Sequence, residues 1–264
     1  MKLSNWLFLI SLLVFAACSN NDPNAEGDET EVADKQALKY TITPFSPSQS
    51  FPDATLESMN YLDGHFEFGV SGDSYQLGVQ TPDAGAKMCA NSAQGQHIHL
   101  IVDNQPYSAH YTEDFDYDMP DGTHYVLAFL SRSYHESIKT PTAYILEKVE
   151  IANDNFTSSD VVKDPMLFYS RPKGTYTGHA ETDKVMLDFY LTNVELGPNF
   201  KVKADINGEE HILDEWKPYY IEGLPMGENT ITLTLIDGNG NPVNTPLNPV
   251  TRTFTLAADP AESN

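Results

Sequence analysis

Three histidines stand where a strand and the loop after its neighbour would bring them together. His97 and His99 sit two residues apart in Gln96-His97-Ile98-His99-Leu100-Ile101-Val102. Residues at that spacing in a strand share one face. His135 lies in the loop Ser131-Arg132-Ser133-Tyr134-His135-Glu136-Ser137. If 97–102 and 123–130 are antiparallel neighbours, the loop leaving the second strand reaches the start of the first, and the three imidazoles converge. Neutral ring nitrogens at one point suit Zn²⁺ or Cu²⁺. Glu136 or Cys89 could add a fourth ligand, and Arg132, Tyr134 and Glu136 are placed to touch a bound molecule. Two other readings stay open: the imidazoles hydrogen-bond loop backbone and stack with Tyr134, or they contact a ligand with no metal between them. His124 begins the second strand, at its opposite end, and stands apart from this group.

The elements that must position these residues are strands. Period-two alternation marks 65–70, 75–79, 97–102, 107–111, 123–130 and 143–151 in the first half. In the second half it marks 185–191, 200–206, 210–213, 219–221, 230–236 and 251–256. Turn residues separate the runs, Asn207-Gly208 being a strong hairpin signal. No segment carries an amphipathic-helix pattern, so the chain is predicted to be all-β.

The halves repeat one another. His97-Ile98-His99-Leu100-Ile101-Val102-Asp103-Asn104 aligns with Lys201-Val202-Lys203-Ala204-Asp205-Ile206-Asn207-Gly208, and Met119-Pro120-Asp121-Gly122 with Leu224-Pro225-Met226-Gly227. Two copies of about 100 residues predict tandem immunoglobulin-like β-sandwich domains. Their expected spans are 51–160 and 161–257, joined near the polar stretch 154–163 and followed by a tail, 258–264. One two-sheet jelly roll is the alternative. In the second copy Val202, Ala204 and Ile206 share the apolar face. The same parity turns Ile98, Leu100 and Val102 inward, and His97, His99 and Ile101 outward.

At the N-terminus Lys2 precedes a run, Trp6 to Ala17, that is apolar except for Ser11. It falls short of the roughly 20 residues a spanning helix needs and suits a signal peptide. It ends in Phe15-Ala16-Ala17-Cys18, which resembles the lipobox of bacterial lipoproteins. That resemblance implies removal of 1–17, a diacylglyceryl group on Cys18, and a membrane partner held through lipid. Ser19 after the cysteine implies the outer membrane of a cell envelope. Residues 18–50 are then an acidic flexible tether, too poor in apolar side chains through most of its length to offset ordering entropy.

Charge and cysteine content narrow the function classes. The 264 residues carry 15 basic and 38 acidic side chains, a net −23. Such a chain repels phosphate backbones, so nucleic acid is excluded as a partner. An envelope protein, a small ligand or a cation remains. With Cys18 lipidated, Cys89 has no disulfide partner. No GxSxG elbow, phosphate-cradling glycine loop, HExxH or CxxC occurs, and the chain is expected not to be an enzyme, with a hydrolase as the remote alternative. The acidic loops 113–118 and 237–241 offer oxygen ligands for Ca²⁺, but the second lacks the distal Glu of an EF-hand and reads as a hairpin turn.

Gln96 to Tyr107, Ser131 to Lys139, and Tyr219 to Asn229 resemble signature stretches of an uncharacterised bacterial lipoprotein family, mostly from Bacteroidota. The resemblance covers most of the chain after the tether. It implies a membrane-anchored envelope lipoprotein with two β-domains serving binding or assembly, and carries no activity. A phosphopeptide-binding label is sometimes attached to the family; here only Arg132, Lys139 and few other cations could meet an anion.

Overall fold

The computed structural model describes residues 39–259; the leader, Cys18, the tether up to residue 38 and residues 260–264 lie outside the described residues. In chain order the strands of the first half are β1 (Thr41–Pro44), β2 (Thr55–Leu62), β3 (His65–Ser71), β4 (His97–Val102), β5 (Ser108–His110), β6 (Asp114–Asp116), β7 (Gly122–Ser131), β8 (Tyr144–Ala152) and β9 (Asn155–Val161). Those of the second are β10 (Met166–Arg171), β11 (Gly174–Thr177), β12 (Val185–Thr192), β13 (Phe200–Ile206), β14 (Glu209–Leu213), β15 (Tyr219–Glu222), β16 (Gly227–Asp237) and β17 (Val250–Ala257). The one α-helix among the described residues is a single turn, His179–Thr182. The protein is all-β, built from immunoglobulin-like sandwiches.

Four sheets stack in layers. Their strand orders are β2-β3-β6, β5-β4-β7-β8-β9, β1-β15-β12-β10 and β11-β17-β16-β13-β14. Period-two alternation explains the stacking. On β7, Val126, Ala128 and Leu130 enter a core shared with Phe66 and Phe68 of β3. Leu127 and Phe129, the residues between, enter a different core with Met166 and Phe168 of β10 and Tyr190 of β12. On β12, Val185, Leu187, Phe189 and Leu191 turn to a third core with Val202, Leu233 and Phe254. The two sandwiches therefore meet sheet to sheet, and β4, β7, β10 and β12 are covered on both faces.

This stacking corrects several expectations. The face carrying His97, His99 and Ile101 does point away from the first core, but it meets the second sandwich rather than solvent; both histidines are 0% exposed. Thr41–Pro44, expected within the tether, pairs antiparallel with β15 of the second sandwich. The polar stretch expected as a junction is mostly β9, an edge strand hydrogen-bonded to β8. Its polarity suits an exposed edge, and Asn153 and Asp154 make the tight turn into it with positive φ. Residues 75–79, expected as a strand, form a loop: Gly78 takes φ +76, and its N–H donates to Gln96 O.

Candidate metal centre

The pairing of β4 with β7 sets Ser131 opposite His97 and Phe129 opposite His99. After Ser131 the chain reverses within a few residues. Arg132 N–H donates to Glu136 O at 2.9 Å, and His135 N–H to Arg132 O at 2.8 Å. His135 sits at φ +67, in the left-handed region that non-glycine residues rarely adopt and histidine tolerates better than most. That conformation brings its ring to β4.

The three imidazoles meet. His97 Nε2 lies 2.8 Å from His99 Nε2 and 3.0 Å from His135 Nδ1, and the third side of the triangle is 3.4 Å. A point about 2.0–2.1 Å from each nitrogen, the usual Zn–N length, lies about 1 Å outside the plane of that triangle. His97 Nδ1–H donates to Gly95 O at 2.7 Å, which leaves Nε2 as a lone pair aimed at the other rings. One lone pair accepts one good N–H bond, so two short contacts at that atom are poorly served by protons and well served by a shared cation. His99 Nδ1, on the other side of the ring, is buried without a hydrogen-bond partner, and an ion at Nε2 would leave it so.

Burial keeps the rings neutral. Desolvation lowers His97 to about 4, helped by the nearby charges of Arg171 and Lys173 and opposed by the bond to Gly95. It also takes His99 and His135 well below the usual imidazole range, with contributions from the same two cations. Lone pairs are thus available at neutral pH. The histidine rings are fixed by aromatic neighbours: His99 lies flat on Tyr107, centroids 3.7 Å apart at 12°, with the edge of Phe129 at 5.1 Å. The Tyr107 hydroxyl is 3.3 Å from His135 Nδ1.

The other residues singled out in the sequence have different places. Cys89 lies outside the histidine group and packs on a small cluster of Phe45, Tyr134, Met186 and Tyr220, where burial pushes its thiol up to about 11. Glu136 is engaged by Ser48 Oγ and by Arg132 at 3.6 Å. Arg132 donates to Gln49 O and Ser137 O, pinning the segment before β2. Tyr134 is buried, with its hydroxyl on Asp83 at 3.2 Å. Arg132, Tyr134 and Glu136 therefore build the loop that presents His135. His124 is at the far end of β7, bonded to Pro120 O.

The loop 113–118 contributes β6, with Phe115 stacked on His110 at 3.3 Å, and Asp237 spends Oδ1 on the N–H groups of Asn239 and Asn241, each at 2.9 Å. Tyr107, Arg171 and Lys173 were not foreseen as neighbours of the histidines. The signal was the unbroken run Met166-Leu167-Phe168-Tyr169, which marks a strand buried on both faces rather than one that alternates.

No family model matches the chain, and no curated protein matches it. Among solved structures it is similar to fibronectin(III)-like modules of Clostridium thermocellum CbhA, with 12% identity over 85% of this chain and 97% of that one, TM-score 0.29. The central fibronectin-III array of RIM-binding protein is similar at 12% identity, covering 81% of this chain and 72% of that one, TM-score 0.26. A Bacteroides ovatus glucan-utilization protein, SGBP-B, is similar at 10% identity, covering 83% and 70%, TM-score 0.20. At these scores the likenesses lend nothing to the reading of the site.

Proposed function

We propose that this chain is a metal-binding protein of the cell envelope, tethered by lipid on Cys18, in which His97, His99 and His135 hold Zn²⁺ or Cu²⁺ between two β-sandwiches. The observation that carries the reading is the convergence of three neutral ring nitrogens, from the buried His97 and His99 and the half-buried His135, within 3.4 Å of one another. A bound ion would satisfy all three lone pairs at once. A bound ion would also stabilise the folded chain over the unfolded one, by about 2.7 kcal/mol at a free concentration 100 times Kd.

The test is elemental analysis of the mature protein after loading with Zn²⁺ or Cu²⁺ and desalting. About one equivalent is expected, with none in His97→Ala or His99→Ala. Less than a tenth of an equivalent in the wild-type protein overturns the proposal. The anchor is tested separately by cell fractionation, where Cys18→Ala should move the protein from the membrane to the soluble fraction.

A second reading, binding of a small ligand or envelope partner, is favoured by a cleft of about 430 Å³ between the sandwiches, lined by Lys139, Tyr144, Asn193, Glu195 and Trp216. Capture of a specific partner from the native envelope, lost in Trp216→Ala with metal content unchanged, would favour it; equal capture by both proteins would remove it.

A further inference from the structure

We infer that Tyr107 is the fourth ligand of this centre, binding through its phenolate oxygen and making it a site for a divalent ion, Cu²⁺ or Zn²⁺, rather than for Cu⁺. The inference rests on the metal reading above and extends it to the coordination sphere.

Position comes first. Tyr107 stands just before β5, on the same side of the sheet as His99, and its ring is clamped face to face against the His99 imidazole. It is buried, and its hydroxyl oxygen is 3.3 Å from His135 Nδ1. That is the separation expected between two ligands of one tetrahedral ion with bonds of about 2.0 Å. Among the described residues no other hydrogen bond takes the hydroxyl away from the nitrogens, whereas the nearby Tyr111 hydroxyl is bound to Ser92 Oγ at 2.7 Å.

Charge gives the second argument. The only metal-ligating group of three among the described residues contains no carboxylate and no thiolate. Arg171 is buried beside the cluster, its Nη1 donating to Tyr134 O at 3.4 Å and its Nε to the Tyr176 hydroxyl at 3.2 Å. Lys173 Nζ lies 3.9 Å above the Tyr107 ring and donates to Tyr107 O at 2.6 Å. A dication on three neutral imidazoles would add to this positive charge in a poorly solvated place. An anionic oxygen ligand offsets it; burial pushes the phenol of Tyr107 up to about 12, against a lowering by Arg171, so the ion's own charge is what would draw the proton off. On binding, the phenol O–H bond breaks, its proton passes to solvent, and the metal–oxygen bond forms without change of oxidation state. Three imidazoles with a phenolate match Cu²⁺ and Zn²⁺; Cu⁺ selects thiolate and thioether ligands, which the centre lacks.

Cu²⁺ alone serves as the probe on the full mature chain. The wild-type protein should hold one equivalent and show a visible phenolate-to-copper charge-transfer band. Resonance Raman excitation in that band should give tyrosinate ring modes that shift when tyrosine is ring-deuterated, a measurement that needs no variant. Tyr107→Phe keeps the stacking ring and should retain copper at least tenfold more weakly while losing the band; Tyr111→Phe should keep both. If the wild-type protein holds one equivalent that depends on His97 but lacks the band and the deuterium-sensitive modes, Tyr107 is not a ligand and the metal reading stands. If the wild-type protein holds no copper or zinc, both readings fall together.

Discussion

β4 and β13 occupy the same place in the two sandwiches and meet opposite fates. Each pairs antiparallel with a long strand in equivalent register, Ile98 opposite Leu130 and Val202 opposite Leu235. Each ends in a turn of positive φ, closed by Asp103 N–H on Tyr125 O in one copy and Asn207 N–H on Thr230 O in the other, both at 2.9 Å. The inward residues are interchangeable hydrophobes. The outward ones are His97, His99 and Ile101 on β4, and Lys201, Lys203 and Asp205 on β13. Lys203 reaches Glu210 at the surface, whereas His99 is enclosed between Tyr107 and Phe129 under the second sandwich. A repeated fold thus specifies where a side chain points, and the partner of that face decides whether it is solvated charge or buried ligand.

That contrast can be broken where charge crosses the buried face. Asp188 lies on β12, fully enclosed, accepting from Ser137 N–H at 2.9 Å and from Lys139 Nζ at 2.6 Å. Asp188→Ala strands an ammonium in the contact between the sandwiches, and urea unfolding should show a loss of about 3–5 kcal/mol. A loss below about 1 kcal/mol would mean that the sheets do not pack as described.

Acid should separate the two faces next. In metal-free protein the folded-state pKa of His97 is lowered from 6.5 to about 4, and His99 and His135 are lowered too. The unfolded chain then binds more protons than the folded one below the unfolded value. Stability is therefore full above about pH 6.5 and declines as pH falls toward 4, by up to roughly 1.4 kcal/mol per pH unit for each histidine. Replacing all three with Gln should remove most of the slope in that window, leaving the part set by His110, which burial also lowers to about 4; an unchanged slope would show that other groups set it.

A smaller effect is expected at the turns. Asn104 lends its side chain to the second sandwich, donating to Leu167 O and accepting from Tyr169 N–H, each at 2.9 Å. Its counterpart Gly208 makes no such bridge. Asn104→Ala should cost about 1–3 kcal/mol, since buried backbone groups lose their partner. Ligand-free thermal melts of Asn104→Ala and Asn104→Gly should agree if the bridge, rather than the turn, carries the cost. Least is expected from Glu210→Ala, where the ion pair with Lys203 is solvent-screened and worth about 0.2–1 kcal/mol.

Much of this was legible in the residues. Alternation located β4, β7, β12, β13 and β16, and the spacing of His97 and His99 with the 131–137 loop located three imidazoles now found together. What alternation misses is β10, six residues long and covered on both faces like β4, β7 and β12. Met166–Arg171 has no polar face to mark it, so β10 went unread, and with it the arrival of Arg171 near the histidines. Thr41–Pro44 and Thr175-Tyr176-Thr177 are too short for a periodic signal to rise above composition. Whether an outward face meets water depends on a second sheet elsewhere in the chain, which no local pattern encodes.

The placement of β1 bears on the order in which this protein can assemble. The first sandwich closes its core with residues 51 to 151, all available early in synthesis or export. The second cannot: Thr41 waits for Glu222, and Lys39 N–H for the Glu209 carboxylate 170 residues on. Its N-terminal strand must stay unpaired while the whole of the first sandwich emerges and folds beside it. Contacts of such long reach form slowly, because the loop between them must close before they return any energy. Refolding should therefore run in two steps, the early one building a finished sandwich with a bare apolar face, the late one covering it.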